Sequence, residues 1–194
     1  NTVLADDGEA TFENDNVTSI VSTNSGNGGQ DIVTVEDGTN TVVGGADKDT
    51  ITLGAGRNTV IGDEGELKIL PDGRTSIKSI NPSVGDIDTI DVGDGYNIAI
   101  GGEAGDKITV TGTQLASRGV VVGDNGELIL GTDDKLEFIA SSDYAYGGVD
   151  IIKLVSGVNA VIGGKDGDEI TAGSGRNTVL ADDGEATFEN DNVT

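Results

Sequence analysis

The sequence predicts an all-β chain built by repetition, and three observations carry that prediction. Residues 1–18, NTVLADDGEATFENDNVT, recur unchanged as residues 177–194. Three stretches, GGADKDTIT from Gly44, GGEAGDKIT from Gly101 and GGKDGDEIT from Gly163, recur at offsets of 57 and 62. The apolar content is almost wholly Val, Ile, Leu and Ala, beside 32 Gly and only 3% aromatic residues, which suits short strands joined by tight turns. A duplication at a period of 176 reads as one unit of a tandem array plus the first residues of the next. A chain that starts at Asn1 with neither Met nor signal peptide is expected to be a piece of something longer.

Within the unit each element is a nine-residue step, with an apolar residue two places after an Asp or Asn. The first subrepeat reads GNGGQDIVT from Gly26, VEDGTNTVV from Val35, GGADKDTIT from Gly44, LGAGRNTVI from Leu53 and GDEGELKIL from Gly62. Six residues rich in Gly, Asp and Asn make a turn, and three extended residues make a strand whose central side chain points inward. The inward set is then Val33, Val42, Ile51, Val60, Ile69, Ile90, Ile108, Ile152, Val161, Ile170 and Val179. Two steps close a coil, so residues 18 apart stack. Asp31 with Asp49, Asp88 with Asp106 and Asp150 with Asp168 fall on one edge; Asn40 with Asn58 and Asn159 with Asn177 fall on the other. The Asn edge, Asn97 included, is expected to be a side-chain ladder that satisfies turn backbone groups.

These steps follow GGxGxDxUx, with U apolar, and over roughly two thirds of the chain they resemble the RTX, or hemolysin-type, calcium-binding repeat. The resemblance implies a parallel β-roll, a form of β-solenoid, with Ca2+ shared between Asp side chains one coil apart and turn carbonyls completing the shell. Carried onto this chain, it selects Asp31, Asp49, Asp88, Asp106, Asp150 and Asp168. The fifth steps GDEGE, GDNGE and ADDGE lack the sixth-position Asp, and Asp63 with Glu66, Asp124 with Glu127, and Asp182 or Asp183 with Glu185 are the candidates to replace it. The Asn edge departs from the family pattern, in which both sets of turns carry Asp.

After each fifth step the pattern lapses into strand–turn–strand segments, with turns at Pro71 to Arg74, Gly131 to Asp134 and Glu189 to Asn192. They read either as protruding hairpins or as long half-coils. Parity of the two edges favours half-coils, which gives roughly nine coils per repeat unit. The organisation is then one continuous stack, with residues 1–25 ending a preceding subrepeat and subrepeats at 26–82, 83–144 and 145–194.

With 35 Asp+Glu against 11 Lys+Arg, the chain carries a formal charge of -24. Such a field repels phosphate backbones and anionic headgroups, so nucleic acid is not expected as a partner, nor is membrane insertion, and cations are. Carboxylates stacked ~5 Å apart repel strongly unless cations lie between them. Without His or Cys the commonest general base, imidazole ligands and thiolates are all missing, and no acid pair stands out for catalysis. Arg57, Arg118 and Arg176 are expected to be solvated or to pair at an edge, and Tyr96, Tyr144 and Tyr146 are too scattered for a sugar-stacking platform. The expected function is a non-enzymatic calcium-binding spacer or fibre segment of a long secreted or cell-surface protein, such as an adhesin or matrix filament, stacked head-to-tail on identical units. The alternative is a solenoid face that binds ice or polysaccharide.

Overall fold

In a computed structural model, the structure describes residues 1–114, 116–189 and 192–194. The chain opens with β1 (Thr2–Leu4) and a hairpin of β2 (Gly8–Glu13) and β3 (Asn16–Ser22). Four short strands come next: β4 (Ile32–Val35), β5 (Gly38–Val43), β6 (Thr50–Leu53) and β7 (Gly56–Ile61). A second hairpin, β8 (Gly65–Ile69) and β9 (Thr75–Ser79), leads to β10 (Thr89–Val92), β11 (Gly95–Gly102), β12 (Lys107–Val110) and β13 (Arg118–Asp124). A third, β14 (Gly126–Leu130) and β15 (Leu136–Ser141), leads to the long strands β16 (Ile151–Ile162) and β17 (Glu169–Leu180). The last hairpin is β18 (Glu185–Glu189) with β19 (Asn192–Val193). The turn expected at Glu189 to Asn192 falls on residues 190 and 191, outside the described residues.

The strands form two sheets of different kinds. Eleven pair in parallel, in the order β1-β5-β7-β11-β13-β16-β12-β10-β6-β4, with β17 on β16. This sheet curls: β16 takes β12 beside its first half and β13 beside its second, so the two limbs face each other. The eight hairpin strands form an antiparallel sheet in plain chain order from β2 to β19. Alternation along β7 shows how the layers pack, because successive side chains in a strand point to opposite faces. Val60 enters one core with Val42, Ile51, Leu53, Ile90, Ile108 and Ile152, between the limbs. Its neighbour Ile61 enters a second core with Ile20, Leu67, Ile77, Leu128 and Ile139 from the hairpins. The limb that carries β5, β7, β11 and β13 is therefore covered on both faces. Among the described residues no helix is long and apolar enough to cross a membrane.

The half-coil expectation is overturned. Leu67 faces Ile77 and Leu128 faces Ile139 in antiparallel register, so the lapsed segments are hairpins that add no parallel rungs. Edge parity misleads here because a hairpin leaves and returns at the same edge and so preserves the order of edges. In place of the roughly nine coils expected per repeat unit, the curled parallel sheet has six steps, from β4–β5 to β16 and β17. Ile69 is correspondingly not inward, and is 42% exposed in its hairpin. A spacing reason allows one hairpin per two coils. Strands in either ladder lie ~4.8 Å apart, so two coils and one two-stranded hairpin advance by the same ~10 Å.

Candidate metal centre

Each coil begins at an edge where an Asp precedes the first strand, and the six predicted Asp residues stand there in one file. The backbone N–H of Asp31 donates to Asp49 Oδ1 at 2.8 Å, Asp49 to Asp88 at 2.7 Å, Asp88 to Asp106 at 2.7 Å, Asp106 to Asp150 at 2.6 Å and Asp150 to Asp168 at 2.9 Å. Spacing in the sequence paired them two by two. The hairpins bring the pairs together, since Asp49 and Asp88 are 39 residues apart and Asp106 and Asp150 are 44.

The second carboxylate oxygen has no such partner. Oδ2 of Asp49, Asp88, Asp106, Asp150 and Asp168 is buried without a hydrogen bond, and the first four residues are at most 1% exposed. Each Oδ2 lies against the glycine that closes a coil. A Cβ on Gly44 would stand 2.4 Å from Asp49 Oδ2 and 2.1 Å from the Gly62 carbonyl oxygen, and Gly62, Gly101, Gly123 and Gly163 repeat this with Asp88, Asp106, Asp150 and Asp168. Close approach therefore requires glycine at the head of each GGxxxD and GDxGE stretch. Desolvation, with smaller repulsions from neighbouring acids, pushes the carboxyls up: Asp49 to about 7, Asp88 and Asp150 to about 8, and Asp106 well above the usual range.

The fifth-step Asp residues do something different. Asp63 Oδ1 accepts from the Asp86 N–H at 3.3 Å and Oδ2 from the Glu103 N–H at 2.5 Å. Asp124 does the same with Gly148 at 2.8 Å and with Lys165. Asp6, which duplicates Asp182 but was not among the sequence candidates, accepts from Gly29 at 3.2 Å and Ala46 at 2.7 Å. Each carboxylate thus staples two later turns to its own. The second glycine of each GG pair makes room for it: a Cβ on Gly102, at φ 125°, would fall 2.2 Å from Asp63 Oδ2. Burial pushes Asp63 to about 9 and Asp124 to about 7.

The Glu partners expected for these acids lie in the hairpin sheet. Glu66 pairs with Lys78 Nζ at 3.0 Å, Glu127 stands across from Lys78 and Ala140, and Glu185 across from Ala140. Asp182 and Asp183 are exposed after β17. Glu64, also absent from the sequence candidates, is buried, accepting from the Gly26 N–H at 2.8 Å and from Asn81.

The opposite edge carries the amide ladder. Nδ2 of Asn40 donates to Asn58 Oδ1 at 2.9 Å, Asn58 to Asn97 at 2.8 Å, and Asn159 to Asn177 at 2.7 Å. Each of Asn40, Asn58, Asn97 and Asn177 also donates to the carbonyl four residues earlier. Gly119 interrupts the ladder between Asn97 and Asn159, which leaves Asn159 Oδ1 buried without a donor. Of the arginines, Arg57 stands 4.9 Å and Arg118 5.9 Å from the Tyr96 ring centroid, Arg57 also pairs with Asp134 at 3.2 Å, and Arg176 donates to Asn192 at 2.8 Å.

Calcium takes six to eight hard oxygens. Five orphaned, buried carboxylate oxygens, each against a glycine that also packs on a backbone carbonyl, are of that chemistry, with no nitrogen or sulfur donor among them. Among the described residues no three acidic side chains converge on one point, so most of a calcium shell here would come from carbonyls and water. The fifth-step Asp oxygens are already engaged by amides. No family model, curated protein or solved structure matches this chain.

Proposed function

We propose that this chain is a calcium-binding structural module, a parallel β-roll backed by a hairpin sheet, serving as a rigid spacer or fibre segment of a long secreted or cell-surface protein. One observation carries the reading: the two edges hold ladders of different kinds, side-chain amide to side-chain amide on the Asn edge and backbone N–H to Asp Oδ1 on the other, where five Oδ2 atoms stay buried without a hydrogen bond. On the Asn edge the ladder is neutral and its Nδ2 groups are hydrogen-bonded. On the other edge an Asn would accept the backbone N–H through Oδ1 as Asp does, and would place a neutral Nδ2 donor where Oδ2 now lies. An ionised Asp puts only charge in its place, and leaving that charge buried without a counterion costs several kcal/mol per group. A cation meets the cost. Asp31, Asp49, Asp88, Asp106, Asp150 and Asp168 would hold it, and it would supply positive charge between stacked carboxylates, making ion binding part of folding.

Calcium titration by calorimetry, with circular dichroism in chelator and in millimolar calcium, tests this. The expected result is heat of binding with a rise in melting temperature. A chain that melts cooperatively at the same temperature in chelator and in calcium at pH 8, with no ion bound, would overturn it.

A ligand-binding face for ice or polysaccharide is the second reading, favoured by an open groove of about 880 Å3 between the sheets, lined by Phe12, Asn16, Thr39, Thr41, Arg57 and Thr59 among others. Its in-register Thr2, Thr41 and Thr59 give way to Ile98 on the next strand, so the rank stops at three, and Phe12 is the lone aromatic among its lining residues; the spacer reading therefore stands first.

A further inference from the structure

The duplicated eighteen residues sit in two different surroundings. As residues 1–18 they pair with later strands: Thr2 to Leu4 lie beside Thr41 to Val43, Asn1 Nδ2 donates to Asn40 Oδ1 at 2.8 Å, and Asp6 accepts from Gly29 and Ala46. As residues 177–194 they pair with earlier strands: Thr178 to Leu180 lie beside Ala160 to Ile162, Asn177 Oδ1 accepts from Asn159, and Glu185 to Thr187 lie beside Ala140 to Phe138. The two sets of contacts use opposite edges of the same strands, so one copy of the segment can make both at once.

We infer that the two ends of this chain are complementary halves of one interface, and that its partner is a second copy of this chain. Residues 177–194 of one copy take the seat that residues 1–18 fill here. The register is set by pairings within the chain. Thr2 pairs with Thr41, the same offset along the chain as Thr50 to Thr89 and Thr59 to Ile98. Applied at the junction, it sets Glu169 beside Ile32 and Thr178 beside Thr41 of the second copy, and gives the Asp168 N–H an acceptor in that copy's Asp31 Oδ1.

The open edges fit this occupant. Among the described residues β4 is paired on one side alone, by β6, and Ile32 is 81% exposed; β17 is likewise paired on one side alone, by β16. β2 has β3 on one side, and its other edge would take the preceding copy's β15 as β18 does, with Phe138 beside Thr11. The partner deepens the spacer reading and rests on it, while the junction itself is built from strand and side-chain pairing that can be read separately from calcium uptake.

The test is a chain of two periods, residues 1–194 followed by a second 19–194, with Thr171→Cys in the first copy and Thr34→Cys in the second. The protein has no native cysteine, and both positions are exposed. A short thiol cross-linker should join the pair rapidly at any protein concentration. Lys153→Cys in the second copy, in place of Thr34→Cys and four rungs beyond it, should give no intramolecular product. X-ray scattering should show a maximum dimension larger than that of the 194-residue chain by roughly 29 Å, six rungs at ~4.8 Å. Cross-linking no faster than in the Lys153→Cys control, in a chain whose circular dichroism is unchanged, would overturn the stacking. Calorimetry on the same samples keeps the two proposals apart. Calcium uptake without cross-linking sinks the interface alone, and cross-linking without calcium uptake sinks the metal reading alone.

Discussion

The backbone N–H of Asp49 donates 2.7 Å to Oδ1 of Asp88, although a whole hairpin of the chain lies between them. Asp31 makes the same bond to Asp49 at 2.8 Å with no hairpin intervening. The ladder is therefore indifferent to the path of the chain between rungs, and its carboxylates accumulate in one file, of whose six members four are buried.

In chelator, that file makes the protein more stable at low pH. The carboxyls of Asp49, Asp88 and Asp150 are raised by burial from 3.8 to about 7, 8 and 8, with Asp86 adding repulsion and Lys48 attraction at Asp88. The folded state thus binds protons that the unfolded chain has released. Their contribution is fully present below about pH 4 and is lost progressively as pH rises to about 8. Urea unfolding at pH 4, 6 and 8 should show stability falling with pH in chelator, with calcium restoring it at pH 8. A stability that rises from pH 4 to pH 8 in chelator would refute this.

Asp88→Asn should stabilise the metal-free protein at pH 8 by roughly 1–3 kcal/mol, because it removes an unpaired buried carboxylate while keeping the acceptor for the Asp49 N–H. The same change should reduce the calcium bound per chain. Asp31→Asn, at the half-buried end of the file, should shift metal-free stability by only about 0.5 kcal/mol. Chemical denaturation and calorimetry on both variants decide it, and equal effects would count against the ladder as the metal centre.

Gly102→Ala and Asp63→Ala should each destabilise by about 2 kcal/mol or more. The first forces a side chain into a positive-φ site and against Asp63; the second strips acceptors from the Asp86 and Glu103 amides. Since both break one staple, the double variant should cost clearly less than the sum. A strictly additive double-mutant cycle in urea would show that the glycine and the carboxylate act independently.

On the neutral edge, Asn58→Ala removes the side-chain donor to the Gly54 carbonyl and to Asn97 Oδ1 and the acceptor of one Asn40 Nδ2 bond, and should cost about 2–3 kcal/mol. Calcium stoichiometry should not change. A titration that loses an ion with this variant would place metal on the Asn edge as well.

How far the sequence went depended on whether a feature was periodic. Asn40 over Asn58 and Asp31 over Asp49 were legible because two equal steps make one coil, and the inward positions Val42, Ile51, Val60, Ile90, Ile108, Ile152 and Val161 are all buried. Val179 is 43% exposed, because it lies on an open strand. The hairpins were misjudged although the signal was present: Leu67 and Ile77 flank the turn at Pro71 to Arg74, and Leu128 and Ile139 flank the turn at Gly131 to Asp134. The staples at Asp63 and Asp124 were not legible. Their amide partners lie 23 or 24 and 40 or 41 residues away, separations that are not multiples of the nine-residue step.

One hairpin per two coils also constrains how such a molecule can change length. The two sheets mesh like gears at a fixed ratio, so adding or deleting one coil would leave every later hairpin a strand out of phase with the limb it covers. Growth by whole pairs of coils keeps both sheets in step. The increment that preserves this meshing is therefore the two-coil block with its hairpin, and twist in one sheet is coupled to twist in the other.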